Sequence, residues 1–255
     1  MQLNKAKAVI TGGASGLGLA TAKSIVDVGG SATLLDINDD TGHAAAAELG
    51  GATRYIRTDV SNEAEVKKAM TDAAEAMGGI TFAVNCAGIV APGRVLGRDG
   101  PMASDYFART VHVNLIGSFN VAKEAANLMQ HNTPEADGEC GVIVNTASVA
   151  AFEGQIGQAG YSASKGGVVG MTLPMARELA RFGIRVMTIA PGIFMTPMMA
   201  SLPEATQQSL ADQIPFPSRL GTAEEYASLA SYIYTNTMLN GETIRLDGAI
   251  RMQPK

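Results

Sequence analysis

Residues 6–18 read AKAVITGGASGLG, a short apolar run, a cluster of glycines and the opening of a helical pattern. The apolar run shows no polar–apolar alternation, the signature of a strand buried on both faces of a parallel sheet. Gly12 permits a tight turn, Gly16 lets main chain approach a ligand, and Gly18 lets the next helix lie close to the strand. A helix starting near Gly16 aims its free N–H groups and the positive end of its dipole at whatever fills the turn. A pyrophosphate suits that position.

The same alternation continues outward. Apolar runs at 32–36, 53–60, 81–88, 141–148, 184–192 and 242–248 are interleaved with helical patterns at 16–28, 39–49, 62–77, 103–130, 161–182 and 222–236. This repetition predicts an α/β fold, a doubly wound, Rossmann-like sheet of about seven parallel strands with helices on both faces. No linker-like shift in composition divides the chain, so residues 1–255 are expected to form one domain. Residues 91–102 and 132–139 carry Gly, Pro and charge and read as surface loops. Residues 193–217 are apolar, Met-rich and punctuated by four prolines, which fits a lid over the site, a subunit contact or core filling.

Composition narrows the function. With 46% hydrophobic and 17% charged residues the chain is an ordinary globular protein rather than a disordered one. A net charge of −5 without Lys/Arg runs gives no support for nucleic-acid binding. No apolar stretch spans a bilayer, and the first strand begins too early for a signal peptide, so no membrane partner is expected. Cys86 and Cys140 form no CxxC pair and suggest a reducing, cytoplasmic setting. His43, His112 and His131 share no ligand spacing, so no metal site is expected.

In such a sheet, ligands bind beyond the carboxyl ends of the strands. Asp36 ends the second run, where a carboxylate accepts both adenosine-ribose hydroxyls. A 2′-phosphate there would set like charges within about 4 Å, costing on the order of 4 kcal/mol, and no nearby Arg or Lys offsets it. NAD is therefore expected rather than NADP. Asp59 and Val60 end the third run and Asn85, Cys86, Ala87 and Gly88 the fourth, positions that can line adenine and ribose. Ser148 closes the fifth, and Tyr161 and Lys165 follow one helical turn apart. Bringing a phenol from pKa 10 down to about 7 or 8 takes roughly 3 to 4 kcal/mol; one ammonium about 4 Å away supplies a similar amount, and the positive charge of an oxidised nicotinamide would add to it. Tyr161 and Lys165 thus form a credible acid/base pair.

TGGASGLG, Asp36, NCAG, Asn114, Ser148 and YSASK together resemble the short-chain dehydrogenase/reductase family over essentially the whole chain. The resemblance implies that Ser148 orients the substrate oxygen, Tyr161 exchanges the proton, and Lys165 holds the nicotinamide ribose. It implies that Asn114 fixes a water relaying protons from Lys165. Matching positions add Ser15, Leu17, Asp59, Val60, Cys86, Phe194 and Thr196 to the NAD contacts, and Pro191-Gly192 to the nicotinamide turn. Longer runs, such as NTASVAAFEGQIGQAGYSASKGGVVGMTLP, IPFPSRLG and LNGETIRLDGAIRMQP, resemble a branch of the family acting on (S)-3-hydroxyacyl-CoA. The implied partner is an acyl-CoA thioester. A hydroxysteroid or other bulky alcohol is the alternative, and a non-catalytic NAD-binding scaffold a third possibility. A homotetramer is implied as well, and Gly166, Gly167 and Gly170 would permit close helix approach.

Overall fold

The buried runs of the sequence assemble into one parallel sheet. The computed structural model of the chain describes residues 1–51, 53–200 and 202–254, and of Met198 only the main chain. The strands are β1 (Lys7–Thr11), β2 (Ser31–Asp36), β3 (Thr53–Arg57), β4 (Phe82–Asn85), β7 (Gly141–Thr146), β8 (Ile184–Pro191) and β9 (Thr243–Leu246). Two further short strands, β5 (Leu96–Gly97) and β6 (Gly100–Pro101), form an antiparallel hairpin. The seven strands lie in the order β3-β2-β1-β4-β7-β8-β9, and every neighbouring pair is parallel. Strand order reverses between β1 and β4, which opens a crevice at their carboxyl ends.

Alternate residues of each strand feed opposite faces. Ala8 and Ile10 of β1, Phe82 and Val84 of β4 and Val142 and Val144 of β7 pack with Ile25 of α1 (Gly16–Val26) and Tyr226 and Ile233 of α9 (Ala223–Thr235). Val9, Ala83 and Ile143 pack on the other side with Met70 of α3 (Glu63–Met77), Val121 and Met129 of α5 (Gly117–Met129) and Ala176 of α6 (Ala159–Leu179). Local chemistry fixes the helix starts. Asn38 caps α2 (Asp39–Leu49) by accepting from Thr41 N, Asn62 accepts from Ala64 and Glu65 N at α3, and Thr222 with Glu225 forms a capping box at α9.

The expected helix 103–130 is divided. α4 (Ser104–Val111) and α5 are joined by a π-helical turn, His112–Ile116, that contains Asn114. The expected cover 193–217 holds α7 (Pro197–Ala200), α8 (Glu204–Ala211) and a cis Phe216-Pro217 bond. Ser201 within it, like Lys255 at the end of the expected domain, lies outside the described residues. Among the described residues no helix is long and apolar enough to cross a membrane.

One polar knot ties α9 to the sheet. Arg185, 6% exposed on β8, donates from Nε to Glu139 at 2.6 Å and from its other nitrogens to the carbonyls of Ile233, Tyr234 and Leu239. Removing one member of a buried ion pair strands the other, at a cost of about 3 to 5 kcal/mol. Glu139→Ala is therefore expected to lower Tm by on the order of 10 °C in calorimetry. An unaltered Tm would show that Arg185 needs no counter-charge.

Candidate active site

The glycine turn is shaped by contact. Gly12 has φ +61°, and a Cβ there would sit 2.9 Å from Ala87 N. A Cβ on Gly18 would lie 2.3 Å from Gly12 O. The turn is thus drawn tight against both β4 and its own helix. Ser15 leaves the start of α1 without a side-chain cap, so first-turn N–H groups remain available to an anion. Thr11 Oγ1 accepts from Ala87 N at 3.1 Å and locks the ends of β1 and β4 together.

A cavity of about 860 Å³ runs along the carboxyl ends of the strands. Gly12, Ser15, Gly16, Leu17, Gly18, Asp36, Asp59, Val60, Cys86, Ala87, Gly88, Ser148, Tyr161, Lys165, Pro191, Gly192, Phe194 and Thr196, all expected from sequence, line it. Asn85 and Asn114 do not. Asn85 is 2% exposed and donates to Asn145 Oδ1 at 2.9 Å and Ser118 O at 3.2 Å, so its side chain braces neighbouring elements instead of facing a ligand. Asn114, fully buried in the π-turn, accepts from Ile89 N at 2.8 Å and donates to Ile89 O and Ser164 Oγ. Ser164 Oγ in turn donates to Tyr161 O at 2.7 Å. Sequence reasoning missed Arg109, His112, Gln155, Gln158 and Met252, which also line the cavity, whereas Met199 and Leu210 lie within the segment 193–217 expected over the site. Met252 had no signal: nothing in the tail's composition tells that it folds back. A hollow of about 730 Å³ between α2, β3 and α3, lined by His43, Arg54, Tyr55 and Asp72 among others, holds none of the expected site residues.

Asp36 is held by two N–H groups, Ala14 N on Oδ2 at 3.2 Å and Asn38 N on Oδ1 at 3.3 Å. Lys165, 4% exposed, donates to Thr146 O at 2.7 Å, and its Nζ lies 5.8 Å from the centre of the Tyr161 ring. Burial pushes the amine down to about 8, opposed by the Cys86 side chain. Burial also pushes the Tyr161 phenol up, with a hydrogen bond to Ser148 acting in the opposite direction. The expected lowering by Lys165 and the nicotinamide charge must therefore act against the desolvation that both groups undergo. A positive charge beside the phenol would act against that burial. A dinucleotide fits the cradle. Besides the tight Gly12 turn, Gly88 presents bare main chain where a Cβ would meet Asn114 Oδ1 at 3.2 Å and Lys165 Nζ at 3.6 Å.

A family model described as short chain dehydrogenase matches residues 6–207. The 3-hydroxyacyl-CoA dehydrogenase type-2 of Bos taurus is 55% identical over 249 residues, covering 97% of this chain and 95% of its own. The protein of the same name from Drosophila melanogaster is 49% identical over 254 residues, covering 99% and 100%. The crystal structure of 3-hydroxyacyl-CoA dehydrogenase type-2 from Mycobacterium avium matches with a TM-score of 0.95 at 42% identity, covering 99% of this chain and 98% of that one.

The buried amine has a measurable signature. Between about 8, where it titrates in the folded chain, and its ordinary 10.5, the unfolded chain binds more protons. The charge therefore disfavours folding fully below pH 8, and this penalty disappears as pH rises to 10.5. Lys165→Met lacks the effect. Its stability relative to the parent, from denaturant midpoints, should fall by about 3 kcal/mol between neutral pH and pH 10.5. A constant difference would mean that Lys165 titrates normally.

Proposed function

This chain belongs to the short-chain dehydrogenase family, and on that premise we propose that it oxidises (S)-3-hydroxyacyl-CoA to 3-ketoacyl-CoA with NAD. The observation that carries the reading is one continuous cavity. It takes in the glycine turn and Asp36, then Ser148, Tyr161 and Lys165, then the apolar Ile193, Met199, Leu210 and Met252. The names of the similar proteins support the acyl-CoA substrate.

Each side chain has chemistry suited to its role. Gly12, Gly16, Gly18 and the start of α1 would hold the pyrophosphate, and Asp36 the adenosine ribose, whose 2′-phosphorylated form its fixed carboxylate repels. Asp59, Val60 and Cys86 would flank the adenosine half, and Pro191, Gly192, Phe194 and Thr196 the nicotinamide half. The oxidised nicotinamide, when bound, supplies the hydride acceptor and a positive charge that favours the Tyr161 phenolate. Tyr161 Oη takes the substrate hydroxyl proton. Ser148 Oγ accepts from Ala150 N at 3.1 Å, which leaves its hydrogen to turn toward Tyr161 Oη or the substrate oxygen. Lys165 uses one of its three hydrogens on Thr146 O, leaving two for the nicotinamide ribose. Asn114 supports the site from behind through Ile89 and Ser164, and the resemblance adds a water passing protons from Lys165 to solvent.

A homotetramer belongs to the same reading. Exposed Tyr106, Phe107, Ile116 and Phe119 on and between α4 and α5, with Leu173 on α6, support it. Of Gly166, Gly167 and Gly170 on α6, Gly170 faces open space, a Cβ on Gly166 would meet only Ala151 O at 4.0 Å, and Gly167 packs on Leu115 within the chain. Light scattering tests the assembly. Both cysteines are free thiols, in keeping with a reducing, cytoplasmic setting.

Tyr161→Phe should lower turnover by about 10²- to 10⁴-fold while leaving NAD affinity in place, read by NADH absorbance and calorimetric titration. Turnover at the parental rate would remove the mechanism. Asp36→Ser should narrow the preference for NAD over NADP by more than about tenfold, and an unaltered ratio of kcat/KM would refute the carboxylate's role. The substrate reading is tested by ranking kcat/KM for a short, a branched and a long 3-hydroxyacyl-CoA against a hydroxysteroid. A ranking led by the steroid would favour the alternative.

A further inference from the structure

The tail that follows β9 contributes Met252 to the lining of the cavity. Arg245, near the end of β9, grips Glu153 with two nitrogens, Nη1 at 2.7 Å and Nη2 at 3.1 Å, and gives its Nε to Asp247 at 2.7 Å. Arg251 adds contacts of 3.3 Å to Glu153 and 3.2 Å to Asp247. The Arg245 guanidinium also lies 5.3 Å from the centre of the Phe152 ring. Two arginines and two carboxylates thus close on one another beside the site. Arg245 holds the Glu153 carboxyl below its usual range.

The cluster binds main chain as well as charge. Glu153 Oε2 accepts from Met252 N at 3.2 Å, Ile156 N donates to Pro254 O at 3.0 Å, and Gln155 Nε2 donates to Gln253 O at 3.0 Å. Residues 252–254 therefore run alongside 153–156. This tail also anchors the 193–217 segment. Ile250 is fully buried in a small cluster with Ala211, Ile214 and Leu220, against which Met199, Leu210 and Met252 pack. Met252, Gln155 and Leu210 all line the cavity, so its far wall is one body built from three distant stretches of sequence.

We propose that Met252 is the specificity-determining residue that limits how much acyl chain the cavity accepts, and that Glu153, gripped by Arg245, is the positioning residue that holds it there. This rests on the acyl-CoA reading above. Methionine suits the role, since its unbranched, flexible side chain fills an irregular apolar end without a polar atom to satisfy. The ion pair suits the positioning role, because a bidentate guanidinium–carboxylate contact fixes direction as well as distance.

The test compares the parent, Met252→Ala and Glu153→Gln on straight-chain 3-hydroxyacyl-CoA substrates of increasing length. Met252→Ala should raise the ratio of kcat/KM for long over short chains by about tenfold or more, mainly through KM, because several side-chain atoms leave the pocket. Glu153→Gln should move the ratio the same way with kcat on the preferred substrate retained. It should also speed hydrogen exchange of the peptides covering 153–158 and 250–254. A merely structural role would lower all substrates alike and leave the ratio in place. An active parent whose length ranking is unaltered in Met252→Ala overturns the assignment of Met252. A Glu153→Gln variant with parental exchange and ranking overturns the positioning role. A parent that reduces NAD with none of the acyl-CoA series overturns the substrate reading on which both rest.

Discussion

The site depends on keeping a lysine amine out of water. Lys165 stands on α6 with its Nζ against a single strand-end carbonyl, Thr146 O, and little solvent reaches it. That position draws the amine down to about 8 and leaves hydrogens free for a ribose. It also requires that β7, α6 and the turn after β4 stay in register, because each forms a wall around the amine. The parallel pairing of β4 with β7 and β7 with β8 supplies that register. So does the Asn114–Ser164 contact, which reaches the start of α6 from the π-turn.

Below this lies a polar chain in a largely apolar interior. Thr11, Asn85 and Asn145 run across three adjacent strands, from β1 through β4 to β7. Uncharged amides and hydroxyls let the strands be cross-braced without burying a further charge, which the interior would tolerate only if paired. Ser118 continues the chain from Asn85 to Asn114 through its carbonyl and hydroxyl. The two asparagines outside the ligand cavity therefore serve it through a network that ties the sheet to the helices above.

Much of this was legible in the residues. Period and composition located the seven strands: the five inner ones are almost wholly buried, while the edge strands β3 (TRYIR) and β9 (TIRL) are only partly buried and were found by their place in the alternation. Asp36, Ser148 and the Tyr161–Lys165 pair could be found because chemistry at strand ends converges on one crevice. The rest depended on direction and distance. Asn85 sits in a promising motif, yet its side chain points to Asn145. Nothing in the segment 103–130 distinguishes a π-turn from an ordinary helix with an awkward asparagine. The raised Tyr161 phenol follows from burial, a property of the assembled pocket that spacing along the chain does not carry. The Glu153–Arg245 contact joins residues 92 positions apart, and no local pattern announces it.

The segment 193–217 contributes lining residues to the cavity at several points. Near the glycine turn, Pro197 Cδ comes within 3.6 Å of where a Cβ on Gly16 would project, and at the other end Ile214 and Leu210 rest on Ile250 and Met252. On the acyl-CoA reading proposed above, both ligands would therefore touch residues of the same segment. Thermodynamic reciprocity would then govern the pair: whatever factor a dinucleotide contributed to thioester affinity through that segment, the thioester would return in equal measure.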